Sequence, residues 1–234
     1  MNMIILDKED ISDGKVEITG KKLDHILTYL KPAVGDTLKS GTMNGLMGKG
    51  VVIDLNKDKL ILEINLDDPP PPPLPLILVL AMPRPKVLNR VIQHAASMGI
   101  KEIFIIKTWR VEKSYLESPV LDEDNLRIQM IMGLEQGKDT IMPRIKIRRL
   151  FKPFIEDELP LIIKDTLALV PHPVADTPCP HQVNSPVTVA IGPEGGFIPY
   201  EIDALKDIGF QAVSLGDRIL RVETALPFII GRLF

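Results

Sequence analysis

The chain has 234 residues, enough to bury an ordinary core as one large domain or as a small one joined to a medium one. Its 45% hydrophobic and 25% charged residues fit a soluble globular protein; the longest apolar runs, such as residues 76–82, are far too short to cross a bilayer, and the acidic N-terminus lacks a secretory pattern. A single cysteine suits a reducing cytoplasm, and a net charge of −3 exerts no global pull on nucleic acid, so any RNA contact has to be a local basic patch.

Residues 15–18, 37–39, 50–54 and 60–64 alternate or cluster β-branched and aliphatic residues between Gly, Asp and Asn turns, with one short helix expected over 24–30. Residues 1–68 therefore read as a small, mostly β barrel. Residues 69–75, five prolines followed by Leu74 and Pro75, favour extended polyproline II and read as a stiff linker. From residue 76 the rhythm changes to strand and helix in alternation, the pattern of an α/β domain with a parallel sheet. Strands are expected at 76–81, 102–106, 166–170, 187–191 and 212–215, and helices at 86–98, 125–136 and 199–208, several ending at glycine. A last helix is expected from about Glu223, because Pro227 is tolerated in a first turn, where its missing N–H costs nothing.

Two segments carry the chemistry. The expected strand 187–191 runs into Gly192-Pro193-Glu194-Gly195-Gly196-Phe197, a glycine-rich loop of the kind that binds ligands at the carboxyl end of a parallel strand. Its spacing is neither that of a dinucleotide fingerprint nor that of a phosphate loop, and the Glu194 carboxylate would repel phosphate. Hydroxyl, amine or cationic ligand groups fit it better. Gly195 is expected to take positive φ or to admit a close backbone approach. A plain strand-to-helix turn that needs its glycines for backbone reasons is the alternative. The second segment, Leu215-Gly216-Asp217-Arg218-Ile219-Leu220-Arg221-Val222-Glu223-Thr224-Ala225, sets backbone amides, apolar side chains and two arginines where a strand gives way to a helix. Taken alone, the segment reads first as a surface salt bridge among Arg218, Arg221 and Glu223.

Other groups bear lighter readings. His172, Cys179 and His181 fit no zinc spacing, so no metal is expected. Arg144, Lys146 and Arg148 would share one face of a strand, touching RNA phosphate or guarding a sheet edge. Trp109 could stack on a base or simply pack.

Together "IGPEGGF" (191–197) and "LGDRILRVETA" (215–225) resemble the C-terminal part of the SPOUT methyltransferases, specifically the bacterial ribosomal-RNA uridine N3 methyltransferases. His172-Pro173, Glu135-Gln136, Arg110, and His25-Ile26-Leu27 with Gly35-Asp36 extend the resemblance over the whole chain. It implies a PUA-like RNA-binding barrel over residues 1–68, and over 76–234 a SPOUT domain with a C-terminal trefoil knot. It further implies an S-adenosylmethionine site, a homodimer and ribosomal RNA or the small ribosomal subunit as partner.

On that resemblance Val170, His172, Ile191, Gly192, Pro193, Glu194, Gly195, Gly196, Leu215, Gly216, Ile219, Leu220, Thr224 and Ala225 are expected around the cofactor. Arg221 is expected to be catalytic, and Lys31, Arg84, Arg110 and Arg218 to meet RNA. The chain departs from the family at Trp109-Arg110-Val111, where Glu-Arg-Ser is usual, and at Asp139, where an arginine is expected. The early arginine near Met3 is missing, and Tyr29-Leu30-Lys31 replaces Val-Leu-Arg. The alternatives are an assembly factor that keeps the fold without catalysis and a SPOUT enzyme acting on another RNA nucleotide.

Overall fold

The computed structural model describes residues 2–234. They form two compact units, one made of the residues up to Pro72 with Met130–Met142, the other of Pro73–Gln129 with Pro143–Phe234.

The first unit is built on a six-stranded sheet in the order β1-β4-β5-β6-β3-β2. Its strands are β1 (Ile4–Leu6), β2 (Ile11–Ser12), β3 (Lys15–Ile18), β4 (Thr37–Thr42), β5 (Met47–Leu55) and β6 (Leu60–Asp68). Helix α1 (Gly20–Tyr29) turns Leu23 and Ile26 into the core made by Ile4, Leu6, Val16, Ile18, Val52, Leu60 and Leu62. β1 and β2 lie outside the expected strands because each is too short to show alternation, and β1 joins the sheet by pairing in parallel with β4. Residues 130–142 belong to this unit through specific bonds. The Glu135 carboxylate accepts the Ile5 N–H at 3.3 Å, the Asn44 N–H donates to the Thr140 carbonyl at 2.8 Å, and the Met142 N–H donates to Asn44 Oδ1 at 2.9 Å. Burial raises the Glu135 pKa, against the lowering pull of the Ile5 N–H and the Lys22 ammonium. Asp139 is buried and accepts the Ile141 N–H at 2.8 Å, a local turn that an arginine could not make.

The second unit has a six-stranded sheet in the order β12-β10-β11-β7-β8-β9. Every neighbouring pair in it is parallel. The strands are β7 (Leu76–Ala81), β8 (Glu102–Ile106), β9 (Arg144–Arg148), β10 (Leu167–Pro171), β11 (Val187–Ile191) and β12 (Gln211–Val213). Helices α2 (Pro85–Ser97) and α7 (Val222–Leu233) pack on each other, and α7 lies against β11. A core of Val79, Phe104, Val170 and Ala190 from the strands also takes Ile202 and Leu205 from α6 (Pro199–Asp207), together with Phe154 and Leu159. Helix α3 (Glu123–Gly137) follows β8 and its flanking turns.

Two sequence expectations need correction. Residues 151–163, left without an element, form α4 (Phe151–Pro153), a π turn over Phe154–Glu158 and α5 (Leu159–Ile163). Pro153 and Pro160 break the helical pattern in the sequence, and the π turn absorbs the interruption. Pro227 lies inside α7 and not in its first turn, so the helix tolerates one lost backbone bond near its start.

Candidate functional site

The chain runs from β7 outward to β8 and β9 on one side and later fills the other side with β10, β11 and β12, so β7 and β11 flank the reversal of strand order. An open parallel sheet binds ligands at the carboxyl ends of the strands beside such a point. The loops after β7, β11 and β12 leave from that edge.

In the loop after β11 the Gly196 N–H donates to the Pro193 carbonyl at 2.7 Å, and Gly196 takes φ +70°, a left-handed conformation that suits glycine. Positive φ therefore falls on Gly196 and not on Gly195, whose Cα instead faces Arg110; a Cβ there would come within 3.0 Å of Arg110 Cδ. The Arg110 guanidinium donates to the Gly195 carbonyl, which commits it to the loop. Glu194 reaches the other way and accepts the Arg84 N–H at 3.0 Å, where Arg84 caps the N-terminus of α2. A carboxylate there satisfies an orphan donor and meets the positive end of the helix. This capping role accounts for Glu194 beside its expected place in the site.

Glu201 fixes the far end of this loop. Its buried carboxylate accepts the Ile198 N–H at 3.0 Å and the Trp109 N–H at 2.6 Å, tying the start of α6 to the loop after β8. The sequence reading missed Glu201, although a glutamate three residues into a helix that begins with Pro199 is a capping signal. In the second segment Gly216 takes φ +111° and its N–H donates to Ser214 Oγ at 3.2 Å. Arg221 is the N-cap of α7, and its carbonyl accepts the Thr224 and Ala225 N–H groups at 2.9 and 2.7 Å.

These loops enclose a cavity of about 220 Å³. His172, Ile191, Gly192, Pro193, Glu194, Gly195, Gly196, Leu215, Gly216, Ile219, Leu220 and Ala225 line it, as do Pro171, Pro173, Phe197, Arg218 and Val222. Val170 and Thr224 do not: Val170 is sealed in the sheet core, where a strand's period of two turns its side chain, and Thr224 is exposed on α7. Burial, together with Lys206 and Arg110, holds the His172 imidazole below its ordinary pKa, which favours its neutral form.

A second, wider cleft shares Glu194 with the first and is lined by Arg84, Lys86, Arg90, Tyr115, Arg221 and Glu223. Glu223 pairs with Arg90 at 3.4 Å, so the suggested salt bridge among Arg218, Arg221 and Glu223 does not form. Among the described residues neither the Arg218 nor the Arg221 side chain has an ion-pair partner. Lys31 belongs to the first unit, just after α1.

The cavity fits an adenosine-bearing sulfonium. Ile219 lines it yet stands 83% exposed, an apolar surface that a bound adenine would cover, and open space faces the Cα atoms of Gly196 and Gly216. Glu194 supplies a negative charge of the right sign for a sulfonium. No cluster of His, Cys, Asp or Glu among the described residues could hold a metal ion, and no helix among them is long and apolar enough to cross a membrane.

A parallel sheet with glycine-bearing loops around an apolar cavity at its carboxyl edge, with a carboxylate in the loop, fits an α/β enzyme of nucleoside-type ligands. The RNA methyltransferase domain model matches residues 70–233, and the chain belongs to that family. It is 28% identical to the ribosomal RNA small subunit methyltransferase E of Treponema pallidum, over 96% of this chain and 87% of that one. It is 25% identical to the ribosomal RNA small subunit methyltransferase E 1 of Borreliella burgdorferi, over 96% and 94%. Its fold matches that of the Neisseria gonorrhoeae ribosomal RNA small subunit methyltransferase E bound to S-adenosyl methionine, with a TM-score of 0.72 and 20% identity over 98% of this chain and 95% of that one. A Legionella pneumophila protein solved with bound SAM aligns with a TM-score of 0.73 and 22% identity, over 98% and 95%.

Proposed function

We propose that this chain transfers a methyl group from S-adenosylmethionine to N3 of a uridine in the 16S RNA of the small ribosomal subunit. The observation that carries the reading is the cavity between the two glycine-bearing loops, with the unpaired Arg221 in the cleft that shares Glu194 with it. When bound, S-adenosylmethionine supplies an electrophilic methyl on a sulfonium. The backbone of 192–196 and 215–220 would hold the donor, and the apolar walls would exclude water.

Uridine N3 carries a proton and is a weak nucleophile until it is lost. As that proton leaves, negative charge spreads onto the uracil oxygens, and a guanidinium placed beforehand stabilises it without acting as a base. Arg221 suits that role because its side chain makes no ion pair among the described residues and because α7 fixes its backbone. Arg84 lies in the same cleft and Arg218 on the wall of the first, and on this reading both would meet phosphate. Arg110, bound to Gly195, acts as a loop-positioning residue more than as an RNA contact.

The trefoil knot, the PUA-like character of the first unit and the homodimer belong to the same proposal. The knot reading is supported by bonds from the β10–β11 connection to the end of β12 and of α7, namely Cys179 N–H to Ser214 O at 3.0 Å and Val183 N–H to Leu233 O at 2.7 Å. Exposed Phe228, midway along α7, and Phe234 at its end support a self-association face. Calorimetry of the full chain with S-adenosylmethionine, followed by mass spectrometry of 16S RNA nucleosides from a deletion strain, tests the reading. Donor binding together with loss of 3-methyluridine is expected. An assembly factor without catalysis would show neither.

A further inference from the structure

We propose that a groove beside the candidate site, on the face of the loop after β8, binds a single-stranded stretch of the RNA substrate, with Trp109 as a base-stacking platform. The proposal rests on the methyltransferase reading and names how the strand flanking the target would be held.

Four cations line the groove: Lys107, Lys113, Arg149 and Lys152. Among the described residues the side chains of Lys107, Lys113 and Arg149 have no ion-pair partner, and Lys152 meets only Glu156 at 3.7 Å on an exposed helix turn. The one carboxylate in the lining, Glu201, is buried and already bonded to the Trp109 and Ile198 N–H groups. A chain with net charge −3 has thus concentrated unpaired positive charge in one place, which complements a polyanion.

Aromatic residues lie among these charges. Trp109 is 81% exposed, which excludes a core-packing role, and Tyr200 is 55% exposed in the same lining. Burying such rings against nucleobases removes an exposed apolar surface without demanding a base sequence. The buried Thr108 hydroxyl, also in the lining, has no hydrogen-bond partner.

The groove is mechanically continuous with the candidate site. Glu201 holds the Trp109 backbone, and the next residue, Arg110, holds Gly195 of the cavity loop. A strand stacked on Trp109 is therefore registered against the cavity through one short segment, 108–110.

Trp109 is the sole tryptophan, so emission from the full chain reports directly on stacking. Titration with single-stranded decauridylate should quench it, and a blunt RNA duplex of equal length should not. By anisotropy, Trp109→Ala should weaken decauridylate binding roughly tenfold, and Trp109→Phe should recover part of the loss. Lys113→Gln with Arg149→Gln should lower the slope of log affinity against log salt by about 0.7 per cation removed. Calorimetric affinity for S-adenosylmethionine should stay at the wild-type value in all of these variants. Unquenched Trp109 at saturating oligonucleotide, or unchanged affinity in Trp109→Ala, would overturn the groove. Quenching by decauridylate in a wild-type chain that binds no donor would support the groove and sink the methyltransferase reading.

Discussion

The second unit carries two sets of cations whose surroundings differ. On the edge strand β9, Arg144 and Lys146 both pair with Glu102 of the neighbouring strand, at 2.5 and 3.6 Å, and Arg148 is held by Glu158 at 2.8 Å. Around the cavity and its neighbouring cleft, Arg218 and Arg221 make no ion pair among the described residues, although Glu194 and Glu223 line the same walls. The first set is what a sheet edge needs: charge that discourages another strand from adding, neutralised locally. The second set is left without ion pairs beside apolar walls, which is consistent with the proposal that these arginines face an anionic ligand. Residue type and spacing alone could not separate the two. The partner did.

The sharpest break in that comparison is Arg221→Ala. If the guanidinium stabilises charge that develops only as uridine N3 loses its proton, single-turnover methyl transfer at saturating donor and RNA should slow on the order of a hundredfold, roughly 3 kcal/mol. Donor affinity should change little, and Arg221→Lys should restore only part of the rate, because an ammonium cannot make paired contacts. A rate within a few-fold of wild type would place Arg221 with the β9 cations. Next in size is Gly196→Val. Its φ of +70° is strained for a β-branched residue by roughly 1–2 kcal/mol, and the new side chain would project into open space at the cavity. Calorimetry should show donor affinity at least tenfold weaker, while a cooperative thermal transition, lowered by a few degrees, shows that the variant still folds.

Much of this site was legible because it depends on local sequence. The glycines of 192–196 and 215–216 sit between an apolar strand run and a helix, and the fold need only bring the two loops together. What was hidden depended on partners distant in the chain. Glu194 reaches Arg84, Glu201 reaches Trp109 and Glu223 reaches Arg90, each across roughly a hundred residues of sequence that carry no pairing signal. The fold followed the same division. The long strands and helices of the second unit announce themselves by period, whereas β1, at three residues, and the proline-broken stretch 151–163 do not. Residues 130–142 belong to the first unit through buried Glu135 and Asp139, polar residues that periodicity reads as surface.

A smaller effect is expected at Glu194, which separates capping from ligand contact. Glu194→Ala removes the acceptor for the Arg84 N–H and the charge at the start of α2, and should cost about 1 kcal/mol in urea unfolding. Glu194→Gln keeps an acceptor oxygen and should recover most of that loss. If the carboxylate also faces the donor sulfonium, both variants should weaken donor binding alike, although their stabilities differ.

The smallest expected effect closes the comparison from the other side. Arg144 is exposed and its pair with Glu102 is shared with Lys146, so either cation can satisfy the carboxylate when the other is lost. Exposed pairs of this kind contribute about 0–1 kcal/mol, and a shared acceptor lowers the cost of losing one partner further. Arg144→Ala should therefore leave the urea midpoint within error of wild type, and 16S RNA affinity at physiological salt should not move. Removing Lys146 as well leaves Glu102 unpaired at the edge strand, where a modest loss of stability should appear with no change in RNA affinity. Should RNA binding instead fall by several-fold while stability holds, the β9 edge would join the RNA-facing surface, and the distinction between paired and unpaired cations would no longer mark the substrate's path.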